Sequence, residues 1–270
     1  MELRQLGKTG IEVSLLGLGT VKIGRNTDVK YPRAFTLPSD AQLHRLLDSA
    51  MDVGINLIDT APAYGTSEER LGVLLKGRRE RWIVATKVGE EYDEGGSRYD
   101  FSPEHARASV ERSLLRLATD YLDVVLIHSD GSDLDILERH GTLDALLELK
   151  QHGVVRAVGV SHKTVDGARL ALKKGADVIM ATLNAADTSE LGVIREAGLA
   201  GCGVFIKKAL VSGHGTATDL PRIAAEPAVS SIVVGTISPA HLTANAEVLA
   251  SSQPAACHHR TLEVCPATQP

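Results

Sequence analysis

Ile55-Asn56-Leu57-Ile58-Asp59-Thr60-Ala61-Pro62-Ala63-Tyr64-Gly65 decides how the rest of the chain is read. Ile55, Leu57 and Ile58 form a short apolar run that Asp59 closes with a charge. Runs this short, set between helical patterns, are how buried parallel strands read. Pro62 cannot continue a strand and Gly65 permits a sharp turn, so Tyr64 is expected in a loop just past the strand end. A carboxylate at the lip of a buried strand, with a phenol five residues later, is costly unless something uses or satisfies both. Taken alone, a helix cap at Asp59 and a packed Tyr64 explain the stretch best.

The flanking sequence repeats the pattern. Residues 2–15 read as a hairpin turning at Lys8-Thr9-Gly10, and residues 15–18 as the first buried strand. A long loop to about residue 37 follows, longer than most connections and so expected to do work. Ser39 and Gln42 form a capping box for a first helix, which Gly54 ends. Further strands are predicted at 56–59, 82–87, 122–127, 155–160, 177–183, 203–207 and 230–234. Helices are predicted at 67–76, 103–117, 141–152, 164–174, 187–197 and 239–250, with only a weak helical signal between 212 and 228. Such alternation implies parallel strands with right-handed crossovers, and eight strands suit a closed (β/α)8 TIM barrel, here with an N-terminal β-hairpin. The expected organisation is one α/β domain over residues 1–250 and a C-terminal tail over 251–270. An open doubly wound sheet is the runner-up, but the first strand is not followed by a Gly-x-Gly-x-x-Gly that opens a helix.

Composition narrows the function classes. Apolar residues make up 43% of the 270 and charged residues 23%, enough for a large core. A net charge of −5 argues against a nucleic-acid footprint. No apolar stretch is long enough to span a membrane or to serve as a signal peptide. Cys202, Cys257 and Cys265 are too scattered for a disulfide framework, so a reduced, cytoplasmic setting is expected, with a monomer or weak homo-oligomer. Cys257-His258-His259 and Cys265 lack a second ligand pair, and no metal site is expected.

In a barrel the chemistry sits at the C-terminal ends of strands. Read only there, the chain offers Asp59 after the second strand with Tyr64 in the loop beyond, Lys87 after the third and His128 after the fourth. Each has a bland reading in isolation; four from three neighbouring strands on one rim are a different matter.

At this point the sequence resembles the aldo-keto reductase family. The likeness is carried by Arg4 to Ser14 with Leu16-Gly17-Leu18-Gly19-Thr20, by Asp59 to Gly65 with Glu68, Leu71 and Gly72, by Asp120 to Asp123 with His128, and by Ile206-Lys207. It runs from about residue 3 to 250. The resemblance implies carbonyl reduction with NADP(H) or NAD(H), and it assigns a catalytic tetrad to Asp59, Tyr64, Lys87 and His128. Hydride transfer to a carbonyl leaves an alkoxide that needs a proton, and Tyr64 would supply it. A Lys ammonium about 4 Å away is worth roughly 4 kcal/mol at an effective dielectric of about 20. That is enough to bring a phenol pKa of about 10 down toward neutrality. Asp59 would hold Lys87 in place and cancel part of that effect, and His128 would donate a hydrogen bond to the carbonyl.

The same resemblance assigns cofactor contacts to Gly19, Thr20, Asp59, Ser161, His162, Lys207, Lys208, Ser212, Gly235, Thr236, Ser238, His241 and Asn245. The chain departs from the family pattern in three of the positions around the nicotinamide. His162 stands for the usual Asn, Met180 for the usual Gln, and Lys207 for the usual stacking aromatic. Ser238 and Pro239 read as cap and first residue of the last helix, whose N-terminus suits a phosphate. Basic side chains that grip a 2′-phosphate are missing there, His241 apart, so the advantage of NADPH over NADH is expected to be small. Tyr64 and His128 are expected to touch a small carbonyl or alcohol substrate, with Tyr92 or Tyr99 as a wall on the loop after Lys87. Two other readings stay open: a barrel of this family used as a redox-sensing or binding subunit, and an unrelated lyase with a Schiff base at Lys87.

Overall fold

The computed structural model describes residues 1–29, 31–32 and 34–251. The cysteines and histidines at 257–259 and 265 lie outside the described residues. The hairpin forms from β1 (Leu3–Gln5) and β2 (Glu12–Ser14), paired antiparallel. The barrel strands are β3 (Leu16–Gly19), β4 (Leu57–Asp59) and β5 (Ile83–Val88), then β8 (Leu122–His128) and β9 (Val155–Ser161), and finally β10 (Val178–Thr182), β11 (Gly203–Lys207) and β12 (Ser231–Gly235). They close in the order β3-β4-β5-β8-β9-β10-β11-β12, every adjacent pair parallel, which excludes the open sheet. Two further strands, β6 (Glu90–Asp93) and β7 (Gly96–Tyr99), pair as a separate antiparallel hairpin. The sequence reading took that stretch for a plain loop.

The helices arise for local reasons. Ser39 caps the helix Asp40–Asp52 in a full capping box with Gln42, as its sequence predicts. Ser102 caps the helix Pro103–Leu117, which ends at Ala118 with φ of 50°. The helix predicted from 187 begins four residues later, at Leu191, because Asn184 to Ser189 fold into turns held by the side chains of Asn184 and Asp187.

Two apolar cores result. The larger lies between the barrel wall and its helices. The smaller fills the barrel interior with Leu57, Ala85, Val124, Leu126, Ala157, Val178, Met180 and Phe205, and Leu6, Ile11 and Val13 of the N-terminal hairpin plug its lower end. The interior is therefore packed below, and only its upper mouth is open to chemistry. Asp123, 1% exposed, accepts from Arg79, Arg156 and the backbone N–H of Val84, joining β8 to β5 and fixing their stagger. No helix among the described residues is long and apolar enough to cross a membrane.

Candidate active site

The parallel register puts the ends of β4, β5 and β8 side by side, with Asp59 opposite Ala85 and Lys87 opposite Leu126. Lys87 is 1% exposed and Asp59 4%. A buried ammonium is tolerable only when paired and hydrogen-bonded, and this one donates to Asp59 Oδ1 at 2.6 Å and to the Thr60 carbonyl at 2.8 Å. Tyr64 closes the single 3-10 turn Pro62–Tyr64. Gly65 then takes φ of 61°, with the Gly24 carbonyl only 2.3 Å from where a Cβ would stand, so glycine alone fits. This turn brings the Tyr64 ring over Lys87, whose Nζ lies 4.6 Å from the ring centroid. The rings of Tyr64 and His128 meet edge to face at 6.1 Å. All four side chains line one cavity of about 480 Å³ at the barrel mouth.

The electrostatics depart from expectation. Burial raises the Tyr64 pKa well above its ordinary value, and the nearby Asp59 carboxylate, Tyr31 and Glu90 push it the same way. Lys87 does not bring it down to neutrality: its ammonium is engaged by Asp59 and the Thr60 carbonyl, and burial together with the Asp59 carboxylate acts against it. Tyr64 therefore keeps its proton throughout the neutral range. His128 is shifted down, first by burial and then by the charges of Lys87 and Lys207, against the opposing pull of Glu90.

Glu90 was not singled out in the sequence, yet its Oε2 lies 2.8 Å from His128 Nδ1. Burial works against its ionisation, but His128 and Ser97 outweigh that and hold its carboxyl down to about 2. Gly89, at φ of 101°, turns the chain back across the mouth and carries Glu90 inward. A glycine and a carboxylate directly after the strand that ends in Lys87-Val88 were the available signal. Tyr31, from the long loop after β3, also lines the cavity. Its hydroxyl oxygen is 2.8 Å from where a Cβ on Gly235 would stand.

The far end of the cavity is lined by Gly19, Ser161, Lys207, Lys208, Ser212 and Gly235. Lys207 Nζ donates to Ser161 Oγ at 3.1 Å and to the His162 carbonyl. Burial, with Lys208 and Lys87 nearby, draws its pKa down to about 7. Lys208, Val211 and Ser212 all take positive φ, of 57°, 48° and 55°, a run of strained backbone over this end of the cavity.

Other expected residues sit elsewhere. Thr20 is fully buried, its hydroxyl donating to the Asp59 carbonyl and accepting from Ser67 Oγ, so it does not face the cavity. His162, next after the inward Ser161, points out of the barrel and pairs with Glu190 Oε2 at 2.7 Å. Thr236 and Ser238 accept from the backbone N–H groups of Ser238 and His241, shaping the turn before the helix Pro239–Ser251, on which Asn245 is buried. Tyr99 lines the cavity beside Phe101. Tyr92 does not line it; its hydroxyl bonds Thr27 and Asp28, and Arg25 stacks on its ring, so it anchors the long loop.

A sequence model described as the aldo/keto reductase family matches residues 15–190. L-galactose dehydrogenase of Arabidopsis thaliana is 37% identical over 172 residues, covering 62% of this chain and 50% of that protein. The NADH-specific methylglyoxal reductase of Escherichia coli is 35% identical over 200 residues, covering 67% and 59%. The chain thus spans about half the length of the curated relatives it matches. Among solved structures, a Pseudomonas aeruginosa protein described as an aldo-keto reductase superposes with a TM-score of 0.86 at 47% identity, over 93% of this chain and 94% of that one. Aldo-keto reductase AKR11C1 of Bacillus halodurans gives 0.80 at 27% identity, over 92% and 91%.

Proposed function

The chain belongs to the aldo/keto reductase family, and from that premise we propose that it reduces a small aldehyde, ketone or open-chain sugar to the alcohol, with Tyr64 as proton donor. The observation that carries this reading is the convergence of the buried Asp59–Lys87 pair, Tyr64 and His128 on one cavity at the mouth of a closed barrel. A nicotinamide dinucleotide, when bound, supplies the hydride that no side chain can. The residues present fit such a group. The cavity runs from the tetrad to two lysines suited to a pyrophosphate, and Gly19 and Gly235 leave the wall between β3 and β12 without side chains. Lys207, Lys208, Ser161 and Ser212 would hold it, followed by the turn from Gly235 to Ser238 with His241 and Asn245 beyond.

Tyr64, protonated across the neutral range, faces the reacting oxygen and delivers its proton as negative charge develops there. Lys87 lies under its ring and stabilises the phenolate that remains, while Asp59 and the Thr60 carbonyl keep that ammonium in place. The raised phenol pKa favours reduction over the reverse oxidation, which needs the phenolate as base. Without a fixed basic grip at the turn, NADPH is expected to bind with only a small advantage over NADH.

The test is to mix the purified protein with NADPH or NADH and a panel of methylglyoxal, glyceraldehyde and aldoses, following loss of the reduced-nicotinamide absorbance. Nucleotide binding without turnover of any carbonyl would mark a binding subunit. Borohydride trapping of an imine at Lys87 without nucleotide binding would mark the lyase reading.

A further inference from the structure

Arg25 opens the long loop after β3, directly behind the short helix Val21–Gly24, and lines the cavity with Ala63 and Tyr64. Its guanidinium spends all three nitrogens on main-chain carbonyls. Nε donates to Thr27 at 2.9 Å and Nη2 to Asp28 at 3.0 Å, which curls the start of the loop around the side chain. Nη1 reaches across to the Ala63 carbonyl at 3.1 Å, and so to the peptide group that leads into Tyr64. The flat ion lies on the face of Tyr92, its central carbon 3.3 Å from the ring centroid, and the ring takes up its charge. The Tyr92 phenol donates to Asp28 Oδ2 at 2.8 Å and accepts from Thr27 Oγ1 at 2.8 Å, closing the same set of contacts.

One guanidinium thus joins the long loop, the 3-10 turn Pro62–Tyr64 and β6 of the hairpin after β5. The turn it grips has few bonds of its own. Tyr64 N–H returns to the Ala61 carbonyl at 3.0 Å, and Thr66 N–H reaches the Gly24 carbonyl at 3.3 Å. A single turn of this kind holds its geometry weakly, because its hydrogen bonds are poorly aligned. A planar fork with its donors already oriented is well suited to fix it from outside.

We propose that Arg25 is a positioning residue: by locking the peptide bond before Tyr64 to the two segments that rim the mouth, it holds the Tyr64 hydroxyl in place for proton delivery. This rests on the proposed carbonyl reduction and adds to it a group that acts through Tyr64. The ring of Tyr92 is the platform that keeps the guanidinium on the turn, while the Tyr92 hydroxyl only ties down the loop. Without the fork the turn and its hydroxyl shift, and a misplacement of about 1 Å costs on the order of 100-fold in rate.

A double-mutant cycle separates positioning from mere support of the cavity wall. With an aldehyde that the wild type reduces, Arg25→Ala should lower kcat by about 10- to 100-fold and change carbonyl KM and nucleotide Kd by about fivefold or less. In the Tyr64→Phe background, which has no hydroxyl to hold, the same change should cost about threefold or less. Tyr92→Leu removes only the platform and should repeat the pattern with a loss of about 2- to 30-fold. It serves in place of Arg25→Ala should that variant not fold. Hydrogen exchange of the 60–66 segment, measured without substrate, should quicken by about tenfold in either variant. Equal losses in the wild-type and Tyr64→Phe backgrounds overturn the proposal, as does exchange at 60–66 that stays at the wild-type rate. If the wild type reduces no carbonyl, the catalytic reading fails and the kinetic role of Arg25 with it, while the exchange result still decides whether Arg25 holds the Tyr64 turn.

Discussion

Replacing Lys87 by Met tests the centre of the site. The methionine is close to isosteric and retains the apolar stem, so the change removes little but the ammonium. That ammonium makes a 2.6 Å contact with Asp59 and a 2.8 Å bond to the Thr60 carbonyl, with the side chains of Lys87 and Asp59 1% and 6% exposed. Solvent cannot compensate a carboxylate so deeply buried, and breaking one partner of such a pair costs about 3–5 kcal/mol. For a chain of this size each kcal/mol shifts Tm by about 2–4 °C, so a fall of about 6–20 °C is expected. Turnover should be lost as well, since nothing then stabilises the phenolate of Tyr64. Thermal unfolding can be followed by the fluorescence of Trp82, the only tryptophan and 1% exposed. The double variant Lys87→Met, Asp59→Asn should recover part of the Tm without recovering activity, because it removes the orphaned charge. A single variant that melts like the wild type would refute the claim that this pair is buried and coupled.

Tyr64→Phe should lower turnover by about 10²- to 10⁴-fold while nucleotide affinity stays within about twofold, as measured by kinetics and Trp82 quenching. Because burial raises the phenol pKa, carbonyl reduction by the wild type should not fall with Tyr64 ionisation below about pH 9; a decline near neutrality that the Phe variant lacks would contradict this. Lys207, drawn down to about 7, loses its charge as pH rises, so nucleotide affinity should weaken between about pH 6 and about pH 8. Lys207→Met should bind about tenfold more weakly at the acid end and show no such slope; an unchanged titration curve counts against its place on the nucleotide. Tyr92→Phe frees Thr27 and Asp28 at the cavity edge and should raise KM by about fivefold or less with kcat retained. A loss of kcat instead would make Tyr92 part of the chemistry.

The sequence by itself determined the barrel, its eight strands within a residue or two, the N-terminal hairpin and the strand-end positions of Asp59, Lys87 and His128. These are legible because they rest on local rules: short apolar runs, caps such as Ser39 with Gln42, and a proline and glycine that force Tyr64 into a turn. What only the tertiary structure decided is where side chains point and what fields they feel. Ser161 and His162 are adjacent, yet the strand's two-residue alternation aims one into the barrel and the other at Glu190, 28 residues away. Thr20 reads as a strand-end hydroxyl and is enclosed by Asp59 and Ser67. Glu90 gains meaning only because a hairpin folds it against His128, 38 positions later in the chain, at 2.8 Å. The phenol of Tyr64 was expected to be brought toward neutrality by Lys87 and on balance is raised, because a pKa sums every charge and the burial around a group through space. No spacing along the chain records how far the phenol is buried or that the Asp59 carboxylate acts on it as well as Lys87.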